Sequence, residues 1–99
     1  DLANAHLAAC ENINRLSGFS VYNVGTGEGT TVLELIRSFE LFTGEKIQYK
    51  FQGRRLGDIA RSVANVDKIN SDLNWSAQYS IKEMCEDAWK WELKRVSLK

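Results

Sequence analysis

Phe19-Ser20-Val21-Tyr22-Asn23-Val24-Gly25-Thr26-Gly27-Glu28-Gly29-Thr30-Thr31-Val32-Leu33-Glu34 decides how the rest of the chain is read. The first six residues are rich in β-branched and aromatic side chains, the composition of a strand. Three glycines then make a turn. Thr31 and Glu34 form a capping box for the next helix: the hydroxyl takes the amide three residues on, and the carboxylate reaches back to the Thr31 amide. Strand, glycine turn and helix belong to a mixed α/β fold, and they are also the order of a dinucleotide fingerprint. The spacing argues against a cofactor. A dinucleotide loop needs its third glycine three residues after the second, where Thr30 stands instead. The next strand-like run also leads into an arginine-rich loop rather than ending in an acidic residue. A tight turn before a capped helix is the simpler reading.

Working outward, Leu2, Ala5, Ala9, Ile13 and Leu16 recur at the spacing of one helix face, which predicts a helix from Leu2 to about Leu16 stopped by Ser17-Gly18. His6 lies beside that stripe as a packing or hydrogen-bonding residue. Val32, Leu35, Ile36, Phe39 and Phe42 mark the face of the second helix, ended by Thr43-Gly44. Lys46 to Phe51 alternates, with Ile47, Tyr49 and Phe51 on one side, and reads as a half-buried strand. Ile59 to Ala64 reads as a short third strand, and Asp67 as the cap of a small helix ending near Trp75. Ser80 and Glu83 make a second capping box, before a helix whose apolar arc is Ile81, Met84, Cys85, Ala88, Trp89 and Trp91. Beyond Glu92 the basic tail is expected to fray. The expected fold is mixed α/β, with about four helices and two or three short strands that need neighbours to complete a sheet.

The 99 residues suffice for a single small domain, spanning 1–99, that buries roughly 60 to 65% of its unfolded surface. Its 13 basic and 13 acidic side chains cancel, so no global field draws the chain to nucleic acid or to an anionic membrane. Any anion site must be local. No apolar run approaches a membrane span and no signal-peptide pattern appears, so the reading is soluble and cytoplasmic. Cys10 and Cys85 have no partner at metal spacing and read as buried free thiols. The chain opens at Asp1 without Met and contains no proline, where average usage would give about five; the missing start suggests a piece of a longer protein.

Arg54-Arg55-Leu56-Gly57-Asp58 carries the strongest chemical signal. Guanidinium forks match phosphate oxygens two at a time, and a nearby carboxylate accepts hydrogen bonds from a sugar diol. Taken locally, such a group is a surface ion pair; its surroundings in the chain favour a site for a phosphorylated, hydroxyl-bearing ligand. Trp75, Trp89 and Trp91 could stack on a base, but the last two fall on an apolar arc and read as core. No Ser-His-Asp or Cys-His arrangement, no paired carboxylates and no metal-spaced ligands are suggested, so no catalytic residue and no metal ligand is assigned.

Taken in order, the Asp1-Leu2-Ala3 helix with Ala5-His6, Tyr22-Asn23-Val24-Gly25-Thr26-Gly27, Arg54-Arg55-Leu56-Gly57-Asp58, Leu73-Asn74-Trp75 and Met84-Cys85-Glu86-Asp87-Ala88-Trp89-Lys90-Trp91 resemble the C-terminal portion of UDP-glucose 4-epimerases, in the extended short-chain dehydrogenase/reductase family. The likeness covers nearly the whole chain, and the double-arginine loop with the Trp-x-Trp helix is its most specific part. The resemblance implies a UDP-sugar-binding role, with Arg55 on the diphosphate, Asp58 on the ribose hydroxyls and Arg54 as supporting charge. Ser62, four residues past Asp58, would line the hexose pocket, its small size admitting N-acetylhexosamines as well as hexoses. It also implies a parent enzyme that uses NAD, with a glycine-rich loop and a Tyr-x-x-x-Lys pair in an N-terminal Rossmann half. Neither is present in these residues, so whether this chain is an enzyme stays open: the isolated chain is expected to be inactive, to hold no cofactor alone, and to partner the missing Rossmann half or itself as a homo-oligomer.

Two other readings stand beside this one. A free-standing, non-catalytic domain derived from the same fold would act in partner binding or self-association. A dehydratase or decarboxylase of the extended family would share the Asp1 helix and the Tyr22-to-Gly27 motif, but the double-arginine loop and Trp89-x-Trp91 argue against it.

Overall fold

The computed structural model describes residues 1–98, which contain four helices and no strand: α1 (Leu2–Glu11), α2 (Val32–Thr43), α3 (Asp67–Leu73) and α4 (Ile81–Ser97). They fall into two compact units. The first comprises Asp1–Gly29 and Ile59–Gln78, and the second begins with Thr30–Asp58 and resumes at Tyr79.

In the first unit α1 and α3 share a core of Ala5, Ile69, Leu73 and Trp75, flanked by Ala8, Ala9, Leu16, Tyr22, Val66 and Ala77. Ile69 and Leu73 are four apart, so the seven-residue α3 turns both to one face. A segment this short has little stability of its own and is held by that packing. Its start differs from expectation. Asp67 is the first helical residue rather than the cap, Val66 occupies the cap position without a side-chain bond, and Asn65 Oδ1 accepts the Asp67 amide at 2.9 Å. Asn74 closes the helix in the left-handed region at φ 50°, a conformation asparagine tolerates better than most residues. The Asp1 carboxylate accepts the Gln78 amide at 3.0 Å, joining the two ends of the unit.

α1 stops at Glu11, earlier than the apolar spacing predicts. The cause is Asn12, whose amide side chain donates to Ala8 O at 2.8 Å while its main-chain N–H reaches the same carbonyl at 3.2 Å. Such local side-chain bonds offer the backbone an alternative to further helix. Asn12 O then accepts from Arg15 and Leu16, which bends the chain and brings Leu16 onto the core while Ile13 stays exposed.

The segments expected as strands are irregular. A strand requires a ladder of main-chain partners, and residues 19–24, 46–51 and 59–64 have none in regular register. Val21 O accepts instead from the Lys68 ammonium at 2.9 Å, and the same ammonium lies 4.8 Å from the centre of the Tyr22 ring. Phe19 is 92% exposed, so the aromatic start of that run buries nothing. Tyr49 and Phe51 do share a side, with ring centres 5.6 Å apart at an edge-to-face angle of 88°. The side is not half-buried, however: Ile47, Tyr49 and Phe51 are all exposed.

In the second unit both capping boxes form as the sequence requires. Glu34 N–H donates to Thr31 Oγ1 at 3.1 Å and Thr31 N–H to the Glu34 carboxylate at 2.7 Å. The equivalent bonds between Ser80 and Glu83 are 3.4 and 2.8 Å. Gly44 ends α2 at φ +74°, with its N–H on Glu40 O at 2.9 Å. α2 packs on α4. On α4, Cys85 is buried and Ile81 and Trp89 are half-buried, but Met84 and Ala88 are exposed and Trp91 is 60% exposed, so the buried stripe is narrower than the apolar arc. α4 does not fray after Glu92; it runs through Ser97. Lys90 pairs with Glu86 at 2.6 Å and Arg95 Nε with Glu92 at 2.8 Å, three- and four-residue spacings that tie successive turns. Lys94 and Arg95 also lie in the last turn, where positive charge favours the helix dipole.

Among the described residues no helix is long and apolar enough to cross a membrane.

Candidate functional site

The arginine loop folds as a four-residue turn from Arg55 to Asp58. Asp58 N–H donates to Arg55 O at 3.2 Å, and Arg55 N–H donates to Asp58 Oδ2 at 2.9 Å. Gly57 sits at φ +88°, and a Cβ built there meets nothing within 4 Å, so the demand for glycine is conformational rather than steric. The second carboxylate oxygen, Asp58 Oδ1, lies 3.4 Å from an Arg55 guanidinium nitrogen.

This guanidinium is nearly free in water: the Arg55 side chain is 87% exposed and that of Asp58 37% exposed. A pair so exposed has modest strength, at most about 1 kcal/mol. Arg54 is exposed one position earlier, and Leu56 is fully exposed at the tip of the turn. The loop thus offers two guanidinium groups and a carboxylate on one short, braced segment. Ser62 is exposed in an irregular stretch of the first unit.

The glycine turn has a purpose of its own. Cβ atoms built on Gly25, Gly27 and Gly29 would lie 3.1 Å from Ala64 Cβ, 3.0 Å from Val66 Cγ2 and 3.1 Å from Val63 Cγ2. The stretch 63–66 therefore runs directly against the turn, and glycine is needed so that the two backbones can approach. Gly27 is at φ +79° as well.

Of the aromatic candidates, Trp75 is buried in the core of the first unit, where no base could stack, and Trp91 is the exposed one rather than a core residue. His6 Nδ1 lies 2.8 Å from Leu2 O, an intrahelical contact. Cys10 is exposed, against the expectation of two buried thiols; Cys85 is buried, and desolvation pushes its thiol above the ordinary range. Among the described residues no three His, Cys, Asp or Glu side chains gather as a metal would require.

One polar grouping escaped the sequence. Arg15, Leu16, Ser17, Ser20, Tyr22, Ser71 and Asp72 line an open hollow of the first unit, across which Tyr22 donates its hydroxyl to Asp72 Oδ2 at 3.1 Å. Loss of solvation, followed by the bond to Asp72 and its charge, raises the Tyr22 phenol above its usual value. The two residues are 50 positions apart, and nothing local in either segment announces the pairing.

No protein-family model matches the chain. Over 97 residues it is 40% identical to a UDP-glucose 4-epimerase of Bacillus subtilis and 39% identical to that of Homo sapiens, covering 98% of this chain in both cases. A UDP-glucose 4-epimerase of Cyamopsis tetragonoloba is 46% identical over 95 residues. The chain spans 27–29% of the length of these relatives. Among solved structures, UDP-glucose 4-epimerase from Stenotrophomonas maltophila with bound NAD and formylated UDP-arabinopyranose superposes with a TM-score of 0.90 at 37% identity, over 99% of this chain and 29% of that one. The enzyme from Bifidobacterium longum, in complex with NAD+ and UDP, gives 0.81 at 38% identity, over 94% and 28%.

Proposed function

As a homologue of the C-terminal segment of UDP-glucose 4-epimerases, the chain has, we propose, the task of holding the UDP part of a UDP-sugar for a 4-epimerase reaction. Arg55 binds the diphosphate, Arg54 adds positive charge, and Asp58 accepts hydrogen bonds from the ribose hydroxyls. The observation that carries this reading is the braced Arg55–Asp58 turn with its exposed guanidinium, in a chain whose solved relatives hold UDP or a UDP-sugar. Arginine suits the role because its planar fork meets two phosphate oxygens at once and stays charged at any working pH. Ser62, by its small side chain, leaves room beside the hexose for an N-acetyl group.

Both solved relatives hold NAD; here the Cβ side of each glycine of the turn faces Val63, Ala64 or Val66 at close contact, which supports reading those glycines as packing residues. On this reading the hydride chemistry depends on residues outside the 99, including the N-terminal Rossmann half, and the chain alone is inactive. The cytoplasm is the matching compartment.

The test is titration of the 99-residue chain with UDP, followed by backbone NMR. Shifts centred on Arg55 and Asp58, abolished by Arg55→Ala, are expected; a flat response at millimolar UDP would leave only the ancestry. Exposed Leu41, Phe51 and Leu56 of the second unit favour a second reading, self-association through apolar side chains, which sedimentation across a concentration series would reveal.

A further inference from the structure

We infer that Asp58 is a positioning residue for Arg55: it braces the turn through Oδ2 and parks the Arg55 guanidinium on Oδ1 until a pyrophosphate takes the guanidinium over. The inference rests on reading this loop as the diphosphate site. The two oxygens of one carboxylate do different work. Oδ2 accepts the Arg55 main-chain N–H at 2.9 Å, in the same turn that the Asp58 N–H to Arg55 O bond closes. That contact fixes where the Arg55 side chain leaves the backbone and demands nothing of the guanidinium. Oδ1, at 3.4 Å, holds the guanidinium loosely and in the open.

A ligand phosphate is a stronger partner than Oδ1, being doubly pronged and carrying more charge. Binding therefore exchanges the guanidinium from Oδ1 to the ligand while the Oδ2 brace stays in place. The exchange also leaves Oδ1 free of the competing guanidinium, so it accepts a hydroxyl donor more strongly once the phosphate is seated. An Arg55 whose main chain is already fixed by the Oδ2 brace gives up less backbone freedom on binding than one on an unbraced loop. The competing carboxylate offsets part of that gain.

Inorganic pyrophosphate, which has no hydroxyls for Asp58 to bind, isolates the exchange. Asp58→Asn keeps an amide oxygen for the Arg55 N–H but removes the charge that competes for the guanidinium. Pyrophosphate affinity is expected to rise about two- to fivefold in Asp58→Asn, the range of an exposed ion pair, and this gain should vanish in an Arg55→Gln background. The wild-type Asp58 carboxyl carbon resonance should move as pyrophosphate binds. An equal gain in both backgrounds would mean simple charge removal and overturn the proposal, as would no gain at all. Parallel UDP titrations separate the two levels. If Arg55→Gln abolishes UDP binding yet the cycle shows no coupling, the diphosphate reading stands and the parking role falls; if UDP binding is absent, or indifferent to Arg55, both fall.

Discussion

The Asp58 carboxylate holds Arg55 twice, through the main-chain N–H at 2.9 Å and through the guanidinium at 3.4 Å. Only the first of these bonds shapes the backbone. The second joins two exposed charges at the surface, where an ion pair contributes little to stability.

Gly57→Ala tests the turn. At φ +88° an L-residue is strained by about 1–2 kcal/mol, and because no neighbour would clash, the cost should fall on loop geometry. UDP binding should weaken, while the unfolding free energy from urea melts should fall by no more than that strain.

Gly27→Ala and Gly18→Ala share positive φ, at +79° and +67°, but only Gly27 faces a neighbour, Val66 Cγ2 at 3.0 Å. Gly27→Ala should be the more destabilising of the two in denaturant melts. Adding Val66→Ala should recover part of the difference, since it removes the clashing methyl.

Ile69 is 1% exposed and Ile13 is 65% exposed. Ile69→Ala should cost about 2–5 kcal/mol, enough to unfold a domain of marginal stability. Ile13→Ala should stay within about 0.5 kcal/mol. Equal losses in chemical denaturation would contradict the core assignment.

The capping glutamates give a pH signature. Backbone hydrogen bonds, from the Thr31 amide to Glu34 and the Ser80 amide to Glu83, together with the cap hydroxyls, hold both carboxyls below their ordinary 4.5. A folded value below the unfolded one adds stability that is complete above 4.5 and is lost as pH falls through the lower folded value. Stability should therefore decline on acidification below 4.5, and the double variant Glu34→Gln, Glu83→Gln should show a shallower decline in thermal melts at matched ionic strength.

Thiol chemistry distinguishes the two cysteines. Cys10 is exposed, whereas Cys85 is buried with its thiol pushed up by desolvation. A maleimide should label Cys10 rapidly in the native chain and Cys85 only on unfolding, read by mass spectrometry, because the thiolate is the reactive form.

Much of this was legible in the chain because it is local. Thr31 with Glu34 and Ser80 with Glu83 make capping boxes whose donors and acceptors lie within four residues, and both helices begin where those boxes place them. Gly44 stops α2 for the same reason. The extended segments failed as strands because β structure depends on a partner that local pattern cannot supply, and α1 ended early because Asn12 competes for Ala8 O. Trp91 misled because an apolar arc gives the spacing of a face but not the width of its contact.

For the loop, composition announced the charges, and the ordering of its motifs gave the kinship with UDP-glucose 4-epimerases. What tertiary structure decided is how those charges are held: which oxygen of Asp58 braces the turn and which one touches the guanidinium. It also decided that Gly25, Gly27 and Gly29 exist to admit Ala64, Val66 and Val63, and that Tyr22 meets Asp72 across 50 residues. Bonds between near neighbours are written in residue order, because the chain itself keeps the partners within reach. Contacts between distant segments have no such tether, and only the packing of the folded chain selects them.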